Sequence, residues 1–235
     1  MTVTLEILEA ADTCYVLGNN LSRWIVDYVD LEESLAVGSI SQDLFAHAAL
    51  LYELANFDDV ERDRLIFQRA PSDWQAWRLV SFPTSSWIGA VIQNWIFNKS
   101  LLHWLGFLQL KSSDHGDEVI GIIEAEQRIH SAHWLQWMIL LSAGDSTRPD
   151  LEKWIATYLE LAGNDKVRQS VDDTSITASR SQIESWLAEI GHKISPPPGF
   201  TNQLSATEID SEFVTTIETM QSLRSDPELP RRIYR

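Results

Sequence analysis

Apolar residues recur every third or fourth position through three long stretches of the chain, which is the seam pattern of helices packed in a bundle. Each seam also carries a polar residue near its middle, and these positions predict a buried polar cluster between the helices. The three seams are Val37, Ile40, Leu44, His47, Leu51 and Leu54; Ile88, Val91, Trp95, Asn98, Leu102 and Leu105; and Ile123, Gln127, His130, Trp134, Trp137 and Leu141.

Turn and capping residues between the periodic stretches divide the chain into helices. Asp30 is placed to cap the second helix, and the Pro-rich stretch at 195–200 predicts a non-helical break. Helices are predicted at about 3–28, 31–55, 58–68, 85–110, 117–143 and 150–162, in a segment ending near Ile190, and at about 206–224.

Four of the predicted helices are long, and their connections are short, long and short in turn. This is the arrangement of a four-helix bundle with one crossover, as in ferritin-like folds. We therefore predict an all-α, ferritin-like four-helix bundle with additional C-terminal helices. The whole chain, 1–235, forms one domain in this interpretation, with a core bundle over about 3–143 and accessory helices over about 150–224.

Composition narrows the possible functions. With 18 Lys and Arg against 34 Asp and Glu, the formal net charge is -16, which disfavours nucleic acids and anionic membranes as partners. The single cysteine, Cys14, excludes an internal disulfide and lies on a predicted apolar face, so we interpret it as a core thiol. No signal-peptide pattern or apolar run of ~18 residues is present, and we expect a cytoplasmic location.

The polar seam residues raise the question of a metal site. Ferritin-like bundles bind two metal ions with a Glu from each of two helices and a Glu-x-x-His from each of the other two. Here Leu44 stands three residues before His47 and Gln127 three before His130, while the third seam offers Asn98. A leucine has no ligand atom, and neutral amides do not supply the charge that such ions require. We therefore predict a hydrogen-bonded polar core in which the two histidines and two amides satisfy one another.

Two alternatives stay open at this stage. Asp43 and Glu126 precede His47 and His130 by four residues, so a rearranged metal site of these four residues is one alternative. A proton-transfer role for the same cluster is the other. His133 lies on a neighbouring face, and we expect it at the surface or in an interface. Phosphate-binding, Gly-x-Ser-x-Gly and Cys-x-x-Cys motifs are absent from the sequence.

Four segments in order along the chain resemble the PaaA/PaaC family of phenylacetate catabolism. Within that family the likeness is to PaaC, the structural subunit of the phenylacetyl-CoA ring epoxidase, a monooxygenase. The segments are ADTCYVLGNNLSRWI with DLEESLAVGSISQDLFAHA; Asp63, Leu65, Phe67 and Arg69, followed by Trp74, Leu79, Val80 and Pro83; Glu126, Arg128, His130 and Trp137; and Met220, Gln221 and Leu223.

The resemblance implies a division of labour. In that family the catalytic subunit carries two irons and epoxidises the ring of phenylacetyl-CoA with O₂. The PaaC-type subunit has the same fold, lacks the metal site and packs against the catalytic subunit. The resemblance also implies a vestigial site, with Asn19, Leu44, Asn98 and Gln127 at the former carboxylate positions and with His47 and His130 kept.

We accordingly expect a structural subunit with no catalytic residues, no metal and no cofactor of its own. Iron is expected in the partner, a PaaA-type catalytic subunit, within a homo- or hetero-oligomer that includes other oxygenase components. A diverged metal-binding oxidoreductase is the first alternative. A stand-alone homodimeric bundle is the second.

Overall fold

A computed structural model describes residues 2–27, 30–81, 84–109, 114–163, 180–189, 191 and 206–225. Within these ranges all regular secondary structure is helical, including two short 3-10 turns at Pro71–Asp73 and Arg78–Val80. The α-helices are α1 Thr2–Ser22, α2 Trp24–Asp27, α3 Leu31–Leu54, α4 Asp59–Phe67, α5 Trp87–Gln109, α6 Asp114–Ala143, α7 Arg148–Gly163, α8 Arg180–Glu189 and α9 Ala206–Ser225.

Four long helices, α1, α3, α5 and α6, form the bundle. The antiparallel pair α1 and α3 approaches closely at Gly18, whose carbonyl accepts a hydrogen bond from Ser41 Oγ at 2.8 Å. A Cβ at Gly18 would lie 3.2 Å from the Ser41 carbonyl oxygen, so this approach favours glycine. Helices α5 and α6 form the second pair, and α3 lies beside α6. The long connection between α3 and α5 is the predicted crossover, and the all-α ferritin-like prediction is confirmed.

The accessory helices cover one side of this bundle. Helix α7 packs on α5, where Tyr158 Oη donates to the Gly89 carbonyl at 3.3 Å. A Cβ at Gly89 would lie 2.9 Å from the Trp154 ring, so the absence of a side chain there admits the indole. Helix α9 lies on the crossover, where Gln221 Nε2 donates to the carbonyls of Ile66 and Arg69.

Side-chain caps begin two of the helices, one of them at the predicted residue Asp30. The Asp30 side chain accepts from the Glu33 backbone N–H at 2.8 Å, as its position before α3 predicted. Asp58 and Glu61 form a reciprocal capping box at the start of α4. These local bonds satisfy N–H groups that a helix leaves without intrahelical partners, so the starts of α3 and α4 are set by the sequence itself.

The first helix is shorter than predicted. It ends at Ser22, where the Ser22 hydroxyl donates to the Asn19 carbonyl, and Arg23 forms a turn before the short helix α2. Leu17 and Leu21, before the break, are buried, whereas Ile25, after it, is 37% exposed. The predicted break at 195–200 lies outside the described residues.

Most residues of the three predicted seams are buried. Of the α3 seam, Val37, His47 and Leu51 are fully buried, and Trp95 and Trp134 are among the largest buried side chains of the other two. Cys14 is buried, and burial raises the pKa of its thiol, which agrees with a core role rather than a nucleophilic one. Among the helices of the described ranges, none has the length and apolar character needed to cross a bilayer.

Candidate functional site

Three bundle helices bring the predicted polar residues together in the interior. His47 from α3, Asn98 from α5, and Gln127 and His130 from α6 are all at least 96% buried. Each occupies a seam position, so the helical period that packs the leucines also turns these side chains inward. The structure therefore gathers four of the six residues that the resemblance assigned to a vestigial site.

An ordered series of hydrogen bonds crosses the three helices. Asn98 Nδ2 donates to the side-chain oxygen of Gln127 and, at 3.1 Å, to its backbone carbonyl. Gln127 Nε2 lies 3.1 Å from His47 Nδ1, and His47 Nε2 lies 2.6 Å from Glu126 Oε2. Because the Gln127 amide donates, His47 Nδ1 accepts and its Nε2–H points at the carboxylate. We call Asn98, Gln127, His47 and Glu126 the His47 network.

His130 makes a different contact from the one predicted. Its Nε2 lies 3.0 Å from Asp43 Oδ2 rather than against Asn98 or Gln127. The rings of His47 and His130 are 6.1 Å apart between centroids. His130 Nδ1 and Asn98 Oδ1 are buried and lack a hydrogen-bond partner. The mutual satisfaction predicted for the four residues thus holds for three of them, and the carboxylate of Asp43 serves the fourth.

Both buried histidines favour the neutral form. Burial lowers the pKa of His47, and the hydrogen bond and charge of Glu126 oppose that change. Burial likewise lowers the pKa of His130, against the effect of Asp43. The two carboxylates remain in contact with water, with side chains 41% exposed for Glu126 and 36% for Asp43. Formal charge therefore sits at the outer end of the cluster while its interior stays neutral.

A third histidine–carboxylate pair extends this pattern along the boundary between α3 and α6. His133 Nε2 lies 3.0 Å from Glu33 Oε1, and the side chains are 21% and 10% exposed. The sequence predicted that His133 lies at a surface or interface; in the structure it lies between two helices of this chain, with its side chain 21% exposed.

Two residues of the inferred vestigial site lie apart from the cluster. Leu44 is buried against α1, where its Cβ would be 3.3 Å from a Cβ at Gly18. Asn19 is half-buried, and within the described residues no hydrogen bond joins its side chain to the cluster. Its neighbour Asn20 is the buried amide of α1, and Asn20 Nδ2 donates to the Val80 carbonyl at 3.1 Å.

The donor set does not fit a pair of iron ions. The inward-facing positions hold the amides of Asn98 and Gln127, which bond to each other and to His47. The nearest carboxylates, Glu126 and Asp43, each engage a histidine Nε2 and extend toward solvent. Across the described ranges, no three His, Cys, Asp or Glu side chains are grouped to hold a metal ion. Paired ions need several carboxylates for charge neutralisation, and this interior does not supply them.

A second buried polar cluster was missed by the sequence analysis. Asp12 on α1 is fully buried, and its Oδ1 accepts from Tyr52 Oη at 2.5 Å and from Arg69 at 2.7 Å. Its Oδ2 accepts from the Gln75 backbone N–H at 2.7 Å. The Arg69 guanidinium also lies 4.3 Å from the Trp74 ring centroid. We call Asp12, Tyr52, Arg69 and Gln75 the Asp12 cluster.

The Asp12 cluster fixes the crossover segment to the α1–α3 pair. One signal in the sequence could have revealed it: Asp12 stands four residues after Leu8 and four before Val16, so it interrupts an apolar stripe. The chain position of its partner Arg69 carries no comparable signal. The resemblance had marked Arg69 only as part of a family pattern.

The match of this chain to a known protein family agrees with its architecture. The profile of the family described as phenylacetic acid catabolic protein (PaaA_PaaC) matches residues 1–196, a span that includes the bundle, the His47 network and the Asp12 cluster. No curated protein matches the chain. Because the family match covers well over half of the sequence and the fold is the predicted bundle, the chain belongs to the phenylacetic acid catabolic protein family.

Proposed function

We propose that this protein is a non-catalytic, PaaC-type structural subunit of a multicomponent di-iron monooxygenase acting on phenylacetyl-CoA. In this proposal it packs against the catalytic ferritin-like subunit, and O₂ is activated in that partner. Family membership points to a component of the phenylacetate-catabolic oxygenase. The observation that carries the structural role is the neutral bundle interior, where Asn98 and Gln127 stand in place of carboxylates.

Electrostatics supports this assignment. A buried di-iron centre needs carboxylates that neutralise and bridge the ions. Gln127 instead turns its N–H group toward His47 Nδ1, and an N–H hydrogen cannot act as a ligand. Burial keeps His47 neutral, which would suit a ligand, but its Nε2 is directed at Glu126. The residues therefore act on one another rather than on a shared ion.

The His47 network also accounts for a supporting role. Asn98 links α5 to α6, and Gln127 links α6 to α3. Glu126, also on α6, forms a second link to α3 through its hydrogen bond with His47. A wrong rotation of any of the three helices would leave buried amides unpaired, at a cost of about 1–3 kcal/mol for each group. Such a network selects one helix register, and a fixed register gives a partner a rigid surface.

Metal analysis and co-purification test the proposal. Purified protein should contain no stoichiometric iron after reconstitution with Fe(II). It should also form a complex with a ferritin-like protein from the same source that keeps its Glu and Glu-x-x-His ligands. Two bound irons per chain, or no complex with such a protein, would overturn the proposal. The double variant Asn98→Asp/Gln127→Glu tests whether acids at these positions gain metal affinity.

One observation favours a second candidate, a diverged oxidoreductase with a rearranged metal site. The structure brings Glu126 to His47 and Asp43 to His130, all four residues of the alternative site. Titration with Mn(II), Fe(II) or Zn(II) should then raise the melting temperature of the natural protein but not of His130→Ala. Equal melting curves with and without micromolar metal would remove this candidate.

A further inference from the structure

We propose that the outer surface shared by α3 and α6 is where the ferritin-like partner docks, an inference that rests on the proposed structural role. We call this surface the α3–α6 face. Its defining side chains are exposed and uncharged. They are Leu35, Ser39, Gln42 and Ala46 on α3, and Ile122, Ala125, Ile129, Ala132, Gln136 and Ile139 on α6.

Helix α6 carries a second seam on this outer side. The uncharged exposed residues from Ile122 to Ile139 are spaced 3, 4, 3, 4 and 3, the same period as the buried seam of the helix. Ile122, Ile129 and Ile139 are 45%, 70% and 54% exposed. Alanines between the isoleucines leave holes into which side chains of a facing helix can insert. The occupant that fits such a seam is another helix.

Exposed apolar side chains concentrate on this side of the molecule. The large exposed hydrophobic residues elsewhere in the described ranges are Leu5, Val60 and Val214, each on a different helix. Helix α7 covers α5 and the crossover packs on α1, whereas the α3–α6 side keeps its apolar residues in solvent. A concentration of this kind marks an interaction surface. Those on the α2, α3 and α6 side are Ile25, Val26, Leu31, Leu35, Ile122, Ile129, Ile139 and Leu140.

The face is large enough for a stable complex. Helix α3 has 24 residues and α6 has 30. At 1.5 Å per residue and an interaxial distance of 8–10 Å, their shared surface measures roughly 36 Å by 20 Å, on the order of 700 Å². Stable protein–protein interfaces bury about 600–1,000 Å² per partner, and the area of this face lies within that range.

The acidic side chains near the α3–α6 face favour a different partner protein over a second copy of this chain. The seam itself is uncharged, but the partly exposed carboxylates of Asp43 and Glu126 lie between the two helices, and the side chain of Glu53 is 64% exposed on α3. The whole chain has a formal net charge of -16. Two copies would bring these acids together, whereas a bundle with Lys and Arg beside its own apolar seam would complement them. The occupant is therefore a different helical bundle with a basic border, here the catalytic subunit.

Matched substitutions test the docking face. Ile129→Glu and Ala132→Glu place a charge in the outer seam, and Val60→Glu makes the same kind of change at a 60% exposed position on α4. The binding probe is the ferritin-like protein of the same source that keeps the Glu-x-x-His ligands. Calorimetry should show about tenfold weaker binding or more for both seam variants, since a charge in the centre of a desolvated seam is costly. Val60→Glu should bind like the natural protein.

Folding and binding are separated by two controls. Circular dichroism melting curves of the three variants should match that of the natural protein, because all three positions are exposed. Hydrogen exchange of the natural protein should slow in α3 and α6 when the partner is added. This second measurement tests the face without any substitution.

The outcomes distinguish the two proposals. If the natural protein forms the complex but Ile129→Glu and Ala132→Glu bind like Val60→Glu, the docking face is wrong and the structural role stands. If the natural protein forms no complex, the structural role itself fails, and the docking face with it. If the chain alone dimerises and Ile129→Glu makes it monomeric, a second copy occupies the face, which overturns the heterologous partner.

Discussion

The two buried polar clusters of this bundle differ in whether their charged groups are buried. The Asp12 cluster holds a full ion pair in the interior, with the side chains of Asp12 and Arg69 only 0% and 9% exposed. The His47 network is neutral where it is buried, and its carboxylate Glu126 is 41% exposed. The fully buried carboxylate of Asp12 is met by three hydrogen-bond donors, from Tyr52, Arg69 and the Gln75 backbone.

This contrast separates a buried ion pair with a structural use from a network whose buried part is neutral. Asp12 secures an irregular crossover to regular helices, and both of its oxygens accept hydrogen bonds. At the centre of the bundle, where a ferritin-like fold would hold ions, the polar groups are amides and neutral imidazoles. Stability measurements on variants of the two clusters can test this contrast, and the largest effect is expected in the Asp12 cluster.

Removal of the buried aspartate should be the most damaging change. Asp12→Ala leaves Arg69 charged and buried and removes the acceptor for Tyr52 and for the Gln75 N–H. Breaking one side of a buried pair costs about 3–5 kcal/mol. Urea unfolding should show this loss, while Asp59→Ala, whose side chain is 88% exposed, should change stability much less. Similar midpoints for the two variants would contradict the role assigned to Asp12.

Interruption of the His47 network should have an intermediate effect. Gln127→Leu removes the side-chain acceptor of Asn98 Nδ2, which keeps its bond to the backbone carbonyl of position 127, and leaves His47 Nδ1 without its partner. A buried group left unpaired costs about 1–3 kcal/mol. In a double-mutant cycle, Asn98→Leu should cost less in the Gln127→Leu background than in the natural protein. Additive effects would show that the two amides do not depend on each other.

Mild acid should lower the free energy of unfolding through the buried residues His47 and His130. Burial lowers the pKa values of His47 and His130 in the folded state, so between those values and about 6.5 the unfolded chain binds more protons. Their contribution to stability is complete above about pH 6.5 and is lost as the pH falls toward the folded values. Urea unfolding at pH 7.5 and 5.5 should show this loss, and His130→Asn should reduce it. His115→Gln, at a side chain 64% exposed, is the control and should leave it unchanged.

Alkali should lower the free energy of unfolding through Tyr52 of the Asp12 cluster, and we expect this effect to be the smallest. Burial and then the charge of Asp12 raise the pKa of Tyr52 above its usual value. The resulting stability is present below about pH 10, where an unfolded tyrosine titrates, and is lost as the pH rises further. The unfolding free energy of the natural protein should therefore fall more between pH 9 and 11 than that of Tyr52→Phe. Parallel curves would show that the Tyr52–Asp12 bond has no such linkage.

Sequence periodicity correctly predicted that several polar side chains on the regular helices are buried. The spacing of the seams placed His47, Asn98 and Gln127 inside, because the direction of a helical side chain depends only on its position along the helix. The same reasoning predicted the four-helix bundle and its crossover, since connection lengths limit which helices are neighbours. The predicted polar core gave His130 amide partners, whereas its Nε2 contacts Asp43, a residue outside the α3 seam.

The sequence by itself determined the helices, the inward-facing residues and the neutral residue types at Leu44, Asn98 and Gln127, because each of these depends on local spacing and residue type. Only the tertiary structure decided which polar groups are partners. Asp12 meets Arg69 across 57 positions of the chain because an irregular segment folds back over α1, and no periodic pattern describes that path. Packing between neighbouring elements also decides that α1 ends at Ser22 and that no element of this chain, within the described residues, covers the α3–α6 face. The spacing of residues along one helix does not specify such packing.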